Sequence, residues 1–141
     1  MTRDETIKVL AIMKAAWPNS FRDMTKEAAN GTITVWTLQF AKVPAQIVMI
    51  AINKLINKNT FAPSIQEVKE KIRGLYWEAW TMLQEHKRGG HLDEKTVASL
   101  KQIIAITEPM RTQLEPTLGE LLEGYNGYLS GGISDETKQL N

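Results

Sequence analysis

Apolar residues recur at three- and four-residue spacing along most of the chain, and that period predicts helix rather than strand. Thr2-x-x-Glu5 reads as a capping box that opens a first helix. Ile7, Leu10, Ala11, Lys14 and Trp17 continue one face, and Pro18-Asn19-Ser20 ends it. A second helix opens at Asp23 or Thr25 and carries Ala29, Ile33, Trp36 and Phe40 as its stripe. Gly31 costs this helix about 1 kcal/mol against alanine. Thr32 to Val35 are β-branched and locally read as strand. The four-residue spacing nevertheless carries on through Trp36 and Phe40, and a lone strand would have no partner.

A third helix has Pro44 at its first position. Residues 47–56 are apolar almost all round, which marks a buried central helix. Phe61-Ala62-Pro63 is an extended connector. Ser64-x-x-Glu67 is a second capping box, and it opens a fourth helix with Ile65, Val68, Ile72, Leu75 and Tyr76 facing inward. The pattern runs on through Trp77, Trp80 and Leu83 to Lys87, until Gly89-Gly90 breaks it. A fifth helix spans about Asp93 to Ile106 with Val97, Leu100, Ile103 and Ile104 as its stripe. Beyond Pro109 and Pro116, Leu118, Leu121, Leu122, Tyr125, Tyr128 and Leu129 form a short amphipathic segment before Gly131-Gly132. The expected fold is all-α, a small helical bundle with a partly independent helical C-terminal extension. The expected division is an N-terminal helical domain over 1–75, an extension over 76–109 and a mobile tail over 110–141.

At 141 residues the chain can bury one core without staples. It has no cysteine, which removes disulfides, thiolate metal sites and a cysteine nucleophile together. No stretch approaches the ~20 apolar residues of a membrane span, and charges near Met1 break any leader-like run. A cytoplasmic location is expected. Net charge is +1, but the head is mildly basic and the stretch after Lys101 mildly acidic. Direct nucleic-acid binding is not expected from so thin a basic surface.

The sequence offers no catalytic constellation. His86 and His91 straddle the Gly-Gly break and read as solvated loop residues rather than metal ligands. No serine sits in a nucleophile elbow, and no glycine-rich phosphate loop is present. Glu67 with Glu70, and Glu120 with Glu123, read as solvated helix faces. So do Lys69, Lys71 and Arg73. No enzyme activity, cofactor or metal is expected. Trp17, Trp36, Phe40 and Phe61 are assigned to the core. Trp77 and Trp80 suit either packing on the fifth helix or an exposed anchor for a partner. Leu118, Leu121, Leu122, Tyr125, Tyr128 and Leu129 suit folding onto a partner's groove, or docking on the chain's own bundle.

Several motifs then fall in one order. Ala16-Trp17-Pro18-Asn19 precedes Met24-Thr25-Lys26-Glu27. Trp36-x-x-x-Phe40 and an apolar helix follow, and Phe61-Ala62-Pro63-Ser64-Ile65-x-Glu67-Val68-Lys69 closes the run. In this order they resemble the replicative helicase loader/inhibitor proteins of phages of Gram-positive bacteria, over about residues 1–75. The resemblance implies a small helical adaptor without ATPase activity. It would bind a hexameric replicative helicase of the DnaB type, hold it inactive and hand it to an origin-bound initiator. The N-terminal part would be a folded domain, and the C-terminal part would be mobile and grip the helicase. Gly31, Ala62 in place of a common second proline, and everything beyond Gly74 depart from the family pattern. Two other classes fit the composition: a small helical DNA-binding regulator, and a phage structural or assembly adaptor.

Overall fold

The computed structural model describes residues 1–131; residues 132–141 of the expected tail lie outside the described residues. Six α-helices run in order: α1 (Arg3–Ala16), α2 (Lys26–Gln39), α3 (Ala45–Ile56), α4 (Ile65–Gly89), α5 (Glu94–Thr107) and α6 (Leu118–Ser130). Short 3-10 turns at Pro18–Phe21 and Pro109–Arg111 shape two of the connections. No strand occurs among the described residues, so the fold is all-α.

Local chemistry sets the helix starts. Thr2, Ser64 and Thr117 each close a reciprocal capping box with Glu5, Glu67 and Glu120. Thr25 caps α2 by accepting from the Ala28 N–H at 3.0 Å. Asp23 instead lies in the left-handed region at φ 62°, which a short polar side chain tolerates. Pro44 stands one place earlier than expected, at the cap of α3 rather than in its first turn. Helix α2 passes through Gly31 and the β-branched run unbroken, because packing of Ile33 and Trp36 outweighs their local preference. At the end of α4, Gly90 adopts φ 50°, a conformation that costs glycine nothing.

The main core joins α1, α2, α3 and the first half of α4. Leu10, Met13, Ile33, Phe40, Ile47, Ile52 and Ile72 are among its fully covered side chains. Trp17 is buried with its Nε1 donating to the Asn59 carbonyl at 2.9 Å. Past Leu75 the chain leaves this core. The rest of α4 pairs with α5 around a smaller cluster of Ala79, Leu83 and Leu100. The chain then returns, and Met110 and Leu114 fill positions in the same main core as Ile72 and Leu75.

Three sequence expectations fail here for physical reasons. Phe61 is not core: it is 72 % exposed at the connector, because Pro63 and Ala62 take the inward positions. Lys69 is not on a solvated face: only 5 % of it is exposed. Its ammonium donates to Gln39 Oε1 at 2.6 Å, pairs with Glu115 and lies 5.8 Å from the centre of the Phe40 ring. Glu115 also accepts from Arg73 at 2.9 Å. His86 is not a loop histidine. It sits in the last turn of α4, and its Nδ1 accepts the Leu92 N–H at 3.1 Å, bracing the turn into α5.

Replacing Glu115 by alanine leaves the Lys69 ammonium with too few partners, and should cost about 1–3 kcal/mol. Lys69→Met removes the buried charge along with the need for a partner, and should be nearly neutral or slightly stabilising. Chemical denaturation of the two variants checks the contrast; equal losses would contradict it. The three capping glutamates are held below their ordinary 4.5, first by the backbone N–H of Thr2, Ser64 and Thr117. A depressed folded pKa stabilises above the unfolded value and is lost as pH falls through the folded one. Stability should therefore decline as pH drops below about 4.5. Glu67→Gln should flatten that decline in thermal melts followed by circular dichroism.

Candidate partner-binding surfaces

Helix α6 rests on α2 without burying any of its residues. The contact depends on glycine. A Cβ built at Gly124 would stand 2.1 Å from Leu38 Cδ2, so only a residue without a side chain lets the two backbones approach this closely. Opposite it, Gly31 on α2 leaves room for the Tyr128 hydroxyl, which would lie 3.4 Å from a Cβ there. Lys42 and Glu120 add a solvent-facing ion pair at 3.7 Å. Between the helices lies an open cleft of ≈ 340 Å³ lined by Arg3, Asn30, Thr34, Leu38, Gly124 and Tyr128 among others. Arg3 donates to Asn30 Oδ1 and to Thr34 Oγ1, the latter at 3.2 Å, which fixes the cleft wall.

The sequence-predicted residues of α6 divide between two faces. Leu121, Tyr125 and Tyr128 are partly covered. Leu118, Leu122 and Leu129 are 85 %, 66 % and 78 % exposed. At roughly 100° per residue these three leucines fall within about 40° of one another, and about 80–160° from Tyr128 and Gly124. The helix therefore spends its glycine face on α2 and presents its leucine stripe outward. That stripe is a helix face of the kind that seats in a groove.

Trp77 and Trp80 lie elsewhere, on the outer side of α4, and are 51 % and 41 % exposed. Their rings meet edge to face at 5.9 Å. The Arg111 guanidinium, from the turn after α5, stacks 4.6 Å from the Tyr76 ring centre and 4.8 Å from that of Trp77. Sequence reasoning missed Arg111, since no local pattern ties it to a tryptophan so far back along the chain. It also passed over Gly124, although a glycine inside a helix signals a close backbone approach. Among the described residues, no group of three or more His, Cys, Asp or Glu side chains is placed to hold a metal ion. No helix among them is long and apolar enough to cross a membrane.

Gly124→Ala should strengthen α6 as a helix, by up to about 1 kcal/mol, while weakening its seat on α2. Amide hydrogen exchange separates the two effects. Helix α6 should exchange faster while α1 to α3 stay unchanged, and retained protection in α6 would show that Leu38 simply yields.

In comparison with known families, residues 1–69 match the one described as the N-terminal domain of the phage SPP1 helicase loader/inhibitor. No curated protein matches the chain, and no solved structure does.

Proposed function

Residues 1–69 belong to the N-terminal domain family of these phage helicase loader/inhibitors, and from that premise we propose that this chain is a replication adaptor of a phage. It binds the hexameric replicative helicase, of the DnaB type, holds it inactive and delivers it to an origin-bound initiator. Family membership is the observation that carries this reading, and the family is one of helicase regulators rather than known enzymes. The helicase supplies the nucleotide chemistry.

The surfaces support a division of labour. The α1–α4 bundle is the rigid part, with capped helices and a filled core. The grip is the outward stripe of Leu118, Leu122 and Leu129, with Leu121, Tyr125 and Tyr128 at its edge. Each outward leucine has apolar area to lose on contact, and full burial of a leucine yields roughly 1.5–3 kcal/mol. The face opposite, on α2, holds α6 near the bundle without covering that stripe.

Mixing the chain with its cognate hexameric helicase and running size exclusion, with and without ATP, tests the function: failure to co-elute in both conditions sinks it. Leu122→Glu places a charge in the centre of the stripe and should weaken binding by about tenfold or more, a loss of at least ~1.4 kcal/mol. Because Leu122 is exposed, the variant should melt at the native temperature. Undiminished binding by that variant would move the grip away from α6 while leaving the helicase reading intact.

A further inference from the structure

The cleft between α2 and α6 has no role of its own in the reading above. Its setting follows from the direction of α6. Glu120, in the first turn, pairs with Lys42 just past the end of α2. Gly124 then faces Leu38, and Tyr128 faces Gly31. Helix α6 therefore runs back along α2, antiparallel to it, toward Asn30 and the Arg3 that bonds to it. Gly131, at the end of α6, lines the same cleft as Arg3. The chain thus leaves α6 at the mouth of an open space of ≈ 340 Å³.

The lining selects the occupant. Among the described residues that line the cleft, Arg3 is the one that carries a charge. Its guanidinium donates to Asn30 Oδ1 and Thr34 Oγ1, and both of those residues are buried. A guanidinium aimed in this way meets a carboxylate with little further ordering cost. Gly124 and Gly127 leave the α6 wall without side chains, so a backbone can lie close against it. The volume stands near the lower end of the roughly 300–1,000 Å³ of ligand sites, which suits a few residues of extended chain. A matching charge lies close by in the sequence. Asp135 and Glu136 follow Gly131 by four and five residues, a span of at most about 18 Å. Glycine at both 131 and 132 admits the reversal of direction that a return into the cleft requires. So short a tether also holds the two carboxylates at an effective concentration on the order of millimolar, an advantage that an acidic segment of another protein lacks.

We propose that the acidic pair Asp135 and Glu136 of this chain seats on Arg3 in the α2–α6 cleft and so latches α6 to α2. The inference stands apart from the helicase reading and can fail without it. Amide hydrogen exchange of the full chain tests it. Asp135→Asn with Glu136→Gln should speed exchange in α6 about two- to fivefold, the effect of losing one partly exposed ion pair. Exchange in the α4–α5 hairpin should not change. Arg3→Gln should speed α6 in the same way, and combining it with the neutralised acids should add little, because both changes remove one interaction. Salt at about 1 M, where the screening length falls to about 3 Å, should bring the native chain close to the neutralised one. Equal exchange of α6 in the native and neutralised chains at low salt overturns the proposal, and needs no variant in the folded bundle. So does an effect of the acids that adds in full to that of Arg3→Gln. Protection of α6 that rises with protein concentration also overturns it, because the acids would then sit on a second copy.

Discussion

A single buried ammonium group must find its partners in both halves of this chain. Lys69 lies where α2, α4 and the returning segment converge, and its charge is nearly cut off from water. A lone charge in that position would cost several kcal/mol, so the fold must bring it a carboxylate and a dipole. Gln39 supplies the dipole from α2, and Glu115 supplies the carboxylate from 46 residues downstream. Once Glu115 is fixed, Met110 and Leu114 fall into the core that holds Ile72, and the chain enters α6 at a defined place over α2. The seat of the leucine stripe thus depends on an interaction inside the bundle as well as on the Gly124 clearance within α6.

Much of this fold was legible from the sequence because the signals are local. A capping box needs four residues, and an apolar stripe needs three or four turns, so α1 to α5 could be placed from their own segments. What escaped depends on partners far along the chain. Lys69 reads as a surface lysine beside Lys71 and Arg73 until Glu115 is brought to it. Phe61 reads as core by type, but Pro63 takes the inward position and leaves the ring outside. His86 reads as a loop residue, yet its neighbour in space is the Leu92 amide.

The candidate site was half legible for the same reason. The six apolar residues of α6 announce an amphipathic helix, and their period says nothing about which edge faces the bundle. Gly124 and Gly31 make that choice, by clearance rather than by attraction. Trp77 and Trp80 could be read as core or as anchor with equal ease. Only the return of Arg111 over Tyr76 and Trp77 fixes them as an ordered, outward aromatic face. The family match, in turn, lies in residues 1–69, and no single cap or stripe could have supplied it.

The path of the chain between Leu75 and Met110 carries a further consequence. It leaves the main core past Leu75, with Glu78 still paired to Lys54 of α3, and touches that core again at Ile106, so the stretch between Glu78 and Ile106 is an out-and-back excursion of two helices. Matched turns could be added to both arms at the far end of the hairpin while the Glu78–Lys54 pair and the packing of Ile106 stay in place. Evolution can therefore tune the reach of this hairpin as an independent dimension. The length of the hairpin can thus change while the bundle that launches it keeps its form.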